Sequence, residues 1–184
     1  MSNTRLPKGI RATDNGCTYE WNGRAWVDIR TFLRAPAEIA GRLQRAAAPE
    51  LRAAEDAITD FDGLLSAATS AKEVGDLGRA ERLISRALVM QPSHEGALCV
   101  LCSLRRKQGN PQRALSETAV VGSRSNYAPL LTTRAAALCD LERWEDAKRL
   151  LGVVLATGNP SPEAWAVLKR IKAARPELYK DRSR

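Results

Sequence analysis

The sequence predicts a mainly helical chain, an array of stacked helical hairpins preceded by a small N-terminal antiparallel β-meander. Three observations carry that prediction. The stretch "KEVGDLGRAERLISRALVMQP" from Lys72 returns in altered form as "RKQGNPQRALSETAVVGSRSN" from Arg106 and as "CDLERWEDAKRLLGVVLATGN" from Cys139. Small and apolar residues recur at spacings of three and four through most of the chain, the period of one helix face. Only residues 1–34 break this rhythm, with short extended runs separated by "DNG" and "NG".

In the meander, "GIRATDNGCTYEWNGRAWVDI", Asn22-Gly23 is expected to form a two-residue type I′ turn, whose positive φ values favour that dipeptide. This register sets Trp21 opposite Arg24 and Tyr19 opposite Trp26, with all four side chains on one face. Tyr19, Trp21, Arg24 and Trp26 then form an exposed platform for a proline-rich peptide or for bases, or else a cover that holds the meander against the first helices. The burial preference of large aromatic rings favours the cover.

Residues 35–60 are expected to be connecting helices. "APAEIAGRLQRAA" opens with a proline suited to a first helical turn and aligns Ile39, Leu43 and Ala46. "PELRAAEDAITDF" aligns Leu51, Ala54, Ile58 and Phe61 and is expected to run directly into the next helix.

The repeat follows. Gly75 and Gly109, like Ala80 and Ala114, are 34 residues apart, and Ala147 lies 33 beyond Ala114. In the first copy Leu64, Ala67, Ala68 and Ala71 form a narrow stripe on which a second helix can pack closely, and Ala80, Leu83, Ile84, Ala87 and Leu88 face it. Gly75-Asp76 marks the turn between the two helices, and Pro92-Ser93 the end of the second. The second copy keeps Leu98, Leu101, Cys102, Gly109 and Ala114, with Thr118 and Gly122 in place of Ile84 and Leu88. The third keeps Leu131, Ala135, Leu138, Ala147, Leu151 and Val154, has Glu142 in place of the turn glycine, and places an aromatic at Trp144. After Asn159 the pattern restarts with Pro162, Trp165, Leu168 and Ile171, a helix with no following partner, as a solvating cap requires.

This order of residues resembles the tetratricopeptide repeat over residues 61–175, with about three degenerate copies and a capping helix, followed by a basic tail at 176–184. The resemblance implies a concave groove lined by the first helix of each hairpin. By that resemblance the groove residues are Leu65, Thr69, Lys72 and Glu73 from the first copy, Cys99, Ser103, Arg106 and Lys107 from the second, Thr132, Ala136, Cys139 and Asp140 from the third, and Arg170 from the cap. The carboxylate-clamp subset of the family needs lysine and asparagine pairs that Leu65, Thr69, Pro129 and Thr133 do not supply. The implied function is a non-enzymatic adaptor or chaperone-like scaffold that binds a segment of another protein.

The net charge of +8 sharpens the choice of partner. Residues 1–100 carry 13 basic and 13 acidic side chains, and residues 101–184 carry 16 and 8, so the excess lies in the second half. Such a field favours acidic proteins, nucleic acid or an anionic membrane surface as partners; beside the protein segment that the resemblance implies, nucleic acid bound by the basic half and the aromatic hairpin is the alternative. Against nucleic acid, Arg105, Arg106, Arg113, Arg124, Arg134, Arg149, Lys169 and Lys172 spread over several helix faces.

No inventory of catalytic residues is complete. The sole histidine, His94, falls in a turn, and neither a phosphate loop nor a dinucleotide fingerprint is present. Cys99 and Cys102, one helical turn apart, make half a zinc site with no second half, so neither a metal nor a cofactor is expected. Cys102 replaces a small packing residue, whereas Cys99 and Cys139 are placed nearer the groove, where a redox role would need an exposed thiol. "MSNTRLPKGI" lacks the apolar core of a secretory peptide, and no apolar run reaches the ~18 residues of a membrane helix. A cytoplasmic protein with reduced thiols and no membrane partner is expected, and the excess of arginine over lysine points to a GC-rich, bacterial source.

Overall fold

The computed structural model describes residues 9–22, 25–47, 53 and 55–179. The chain divides into two compact units, Met1–Leu83 and Ile84–Arg184.

The first unit opens with strands β1 (Arg11–Asp14), β2 (Cys17–Trp21) and β3 (Trp26–Asp28), an antiparallel sheet of order β1-β2-β3. The two-residue turn falls at Asn15-Gly16, where both residues have positive φ, 47° and 79°, and Asp14 pairs with Cys17. The second hairpin departs from the expected register: Trp21 pairs with Trp26 and Tyr19 with Asp28. Its loop is longer because Asn22 closes it, donating its N–H to Ala25 O at 3.1 Å while its Oδ1 accepts from Ala25 N at 2.9 Å. The two rings meet edge to face, centroids 5.8 Å apart and planes at 60°.

Helix α1 (Ala37–Ala46) packs on this sheet through Leu43, which with Tyr19, Trp26, Ala35 and Ala47 forms the buried core. Arg42 binds Asp14 with both forks, Nε to Oδ1 at 2.8 Å and Nη2 to Oδ2 at 2.7 Å, tying α1 to β1. The helix expected to run through Ile58 into Phe61 is interrupted. Ile58 and Thr59 are not helical, and Asp60 is extended (φ −101°, ψ 154°), its Oδ1 accepting from Gly63 N at 2.7 Å to cap α2 (Phe61–Glu73). Leu51 and Ala54 of that expected helix lie outside the described residues.

Helix α3 (Leu77–Met90) follows a tight turn and crosses the division between the units. Ala80, Leu83, Ile84 and Ala87 are fully buried along it, as their spacing predicts. Glu55, also buried, stands 2.8 Å from Arg79 Nε and 3.2 Å from Arg82 Nη2, pinning the segment before α2 to the start of α3.

The second unit continues with α4 (Glu95–Lys107), α5 (Pro111–Glu117), α6 (Ala119–Gly122), α7 (Ala128–Asp140), α8 (Trp144–Leu155) and α9 (Pro162–Ala174), then a 3-10 turn at Pro176–Tyr179. Helix α7 packs against α4, α5, α8 and α9. Ala114, Ala135, Ala147 and Ala164 are completely buried among Cys102, Leu131, Leu151, Val154 and Ile171, so close helix approach is set by side chains no larger than a methyl. His94 caps α4, its Nδ1 accepting from Ala97 N at 3.2 Å.

The helix-to-helix turns share one geometry. Asp76 N donates to Ala71 O, Asn110 N to Arg105 O and Arg143 N to Leu138 O, each at 2.9 Å. The residue before each donor sits in the left-handed region: Gly75 (φ 82°), Gly109 (φ 78°) and, where glycine is absent, Glu142 (φ 58°).

The second helix of the middle pair is broken at Thr118. Arg134 of α7 donates its Nη1 to Leu115 O at 3.2 Å and to Thr118 Oγ1 at 2.5 Å, and Leu115 O is the acceptor that Ala119 N would use in an unbroken helix. Thr118 Oγ1 in turn donates to Ala114 O at 2.7 Å. At the C-terminal end, the first residues of the expected tail form the 3-10 turn instead. Tyr179 lies 4.7 Å from Lys148 Nζ and 5.2 Å from Lys172 Nζ, and Lys148 donates to Leu178 O.

Candidate functional site

Helices α4, α7 and α9 of the second unit carry two sets of polar side-chain contacts. Cys99 Sγ meets Thr133 Oγ1 at 3.4 Å, and Arg106 Nε donates to Asp140 Oδ2 at 2.7 Å. Both contacts join residues 34 apart, so equivalent positions of successive copies touch. Asp140 then accepts from Arg170 Nη1 through its other oxygen at 2.6 Å, while Arg170 Nη2 reaches Cys139 O at 3.2 Å and its guanidinium lies 5.9 Å from the Trp144 ring centre. One carboxylate thus joins three helices.

Burial alone would raise the Asp140 carboxyl, but the two guanidinium hydrogen bonds and charges outweigh it and hold the group below its ordinary value. Asp140 stays ionised and fixes both arginines, each partly open to solvent. Beside them an open depression of about 600 Å³ is walled by Ser103, Arg106, Lys107, Gly109, Pro111 and Asp140.

The residues expected to line a groove fall into three groups. Half-buried Ser103, Arg106 and exposed Lys107 share the depression with Asp140, which exposed Arg170 joins, whereas half-buried Cys99 meets Thr133 instead. Thr132, Ala136 and Cys139 are buried, with 5%, 7% and 1% of their surface accessible, and sit in the helix packing instead of presenting themselves to a ligand. Thr69, Lys72 and Glu73 belong to the first unit, where Thr69 turns its hydroxyl back to Leu65 O at 2.9 Å, Lys72 is half-buried and Glu73 is exposed. Arg134, counted in the sequence among dispersed surface charges, is half-buried and engaged with α5. The only signal for this was the pair of unusual substitutions at Thr118 and Gly122.

The hairpin aromatics are placed as a cover. Tyr19 and Trp26 are buried at 7% and 1%, Trp21 is half-buried, and Arg24 lies outside the described residues. Burial pushes the Cys102 thiol up to about 12 and raises that of Cys139 as well, which disfavours the reactive thiolate at both. Among the described residues no group of three or more His, Cys, Asp or Glu side chains is arranged to hold a metal ion.

No family model and no curated protein matches the sequence. Among solved structures, the Sgt2 TPR domain from Aspergillus fumigatus aligns with a TM-score of 0.59 over 67% of this chain and 84% of that domain, at 19% identity. At that identity the likeness is one of fold. No helix among the described residues is long and apolar enough to cross a membrane. The chain has a mainly helical, tetratricopeptide-like fold with a small three-stranded antiparallel sheet at its N-terminal end.

Proposed function

We propose that the chain is a non-enzymatic, cytoplasmic adaptor or chaperone-like scaffold, built of three degenerate repeats and a cap, that binds a segment of another protein on the face of α4, α7 and α9. The observation that carries this reading is the line from Arg106 through Asp140 to Arg170, a pre-positioned set of donors beside an open depression. The tetratricopeptide-like fold supports a scaffold, since stacked helix pairs present extended surfaces to partners. Two arginines against one carboxylate favour an acidic segment. Four cysteines free as thiols accord with a reducing compartment.

Photo-crosslinking tests this reading. A photoreactive side chain installed at Ser103, and separately at the exposed Ser116 of α5 as a control, is activated in cells, with and without nuclease, and the adducts are identified by mass spectrometry. Adducts with a defined protein at Ser103, absent at Ser116 and indifferent to nuclease, are expected. Adducts at Ser116 alone would place recognition elsewhere, and nuclease-sensitive adducts would make the partner a nucleic acid.

A further inference from the structure

We propose that the depression between the broken α5–α6 segment and α8 is a binding site for a phosphoryl group. It has a volume of about 360 Å³ and is lined by Arg134, Arg143, Asp146 and Arg149, with Leu115 and Leu150 among its apolar walls. This site is separate from the face assigned above to a protein segment.

The charges do not balance. Arg143 places Nε and Nη2 on Asp146 Oδ2 at 3.0 and 2.6 Å, and Arg149 takes Oδ1 of the same carboxylate. Among the described residues Arg134 has no carboxylate partner. Its Nη1 is used by Leu115 O and Thr118 Oγ1, its buried Nε has no acceptor, and its Nη2 makes no bond among the described residues. Three guanidinium groups and one carboxylate leave two positive charges over, the complement of a phosphoryl dianion and twice that of a carboxylate. Burial with no anion nearby also lowers the pKa of Arg134, a desolvation cost that an incoming anion would offset. The leucine walls suit a carbon skeleton attached to the phosphoryl group, so the ligand is a phosphate ester, free or on a side chain, with inorganic phosphate as its minimal form.

The test is calorimetric titration of the full chain with inorganic phosphate, phenyl phosphate and acetate at matched ionic strength. Saturable binding of both phosphates and none of acetate is expected. Equal affinity for the two assigns the site to free phosphate, and tighter binding of phenyl phosphate assigns it to an ester. Arg149→Gln, at a mostly exposed side chain, should weaken binding by about tenfold. Asp146→Asn should tighten it by releasing Arg143 and Arg149. Arg113→Gln, whose arginine pairs with Glu117 outside the depression, should leave it unchanged. Acetate binding as well as phosphate, equal losses at Arg149 and Arg113, or no saturable binding of either phosphate would overturn the proposal.

Discussion

Gly122 lies against the guanidinium of Arg134 so closely that a Cβ there would stand 2.6 Å from Nε. The break in the helix, the missing side chain and the buried arginine are therefore one device. Arg134 takes the carbonyl of Leu115, Thr118 bends the chain, and Gly122 clears the space. Gly122→Ala is expected to cost about 1–3 kcal/mol, because the guanidinium is held by two acceptors and cannot retreat freely. Truncating Arg134 to Ala removes the obstruction, so the double variant should be less destabilised than the sum of the single ones by about 1 kcal/mol. Urea unfolding of the four proteins measures the coupling, and additive costs would show that the two residues do not communicate.

Glu142 holds a left-handed conformation that glycine holds at the two equivalent turns. Glu142→Gly should therefore stabilise the protein by about 1 kcal/mol, the steric cost of a side chain at positive φ less the entropy of the freed chain. A fall in the urea midpoint would mean that the glutamate side chain makes a contact worth more than its strain.

Asp140 and Glu117 should govern acid stability. Burial raises both carboxyls, and paired guanidiniums overcome it, Arg106 and Arg170 at Asp140, Arg105 and Arg113 at Glu117, so both titrate below their ordinary values of 3.8 and 4.5. A carboxyl whose folded value is depressed stabilises the fold above its unfolded value. That contribution is lost as pH falls through the folded one. Stability is thus expected to decline from about pH 4.5 downward, and Asp140→Asn and Glu117→Gln should each lower stability at neutral pH and flatten the acid limb. Denaturant midpoints between pH 2 and pH 7 test this, and an unchanged acid limb in both variants would exclude these carboxyls as its source.

Ala80 and Ala114 occupy equivalent positions in α3 and α5, and each is completely buried. Ala80→Asp and Ala114→Asp should cost about 3 kcal/mol or more apiece, since an unpaired carboxylate would be forced into a close helix contact. Full stability in either variant, read by thermal unfolding, would contradict the packing described for that pair.

Much of this fold was legible because its determinants are local and periodic. Ala80, Ala114 and Ala147 mark the crossings, and Gly75 and Gly109 mark the turns, so helix order followed from spacing alone. The hairpin register was not legible. Asn15-Gly16 and Asn22-Gly23 carry the same dipeptide, and only the tertiary pairing of Trp21 with Trp26 distinguishes a two-residue turn from a longer loop. The interruption at Thr118 was hidden for a similar reason, since its cause is an arginine 16 residues downstream. Of the residues expected to line a groove, Arg106, Lys107 and Arg170 are partly or fully exposed, but Thr132, Ala136 and Cys139 are buried because a helix flanked by neighbours on several sides buries more of its circumference than a two-sided pattern predicts.

Because Arg106 meets Asp140 at the repeat spacing, this ion pair is satisfied only when the helix pairs keep their present order. Duplicating the middle pair would set one arginine beside its own duplicate, and slipping the array by one unit would strip both Arg106 and Arg170 of their shared anion. The divergence between copies thus works as an address written along the stack. A misassembled or lengthened array would forfeit these contacts, whereas a perfectly regular version of this chain would have none to forfeit.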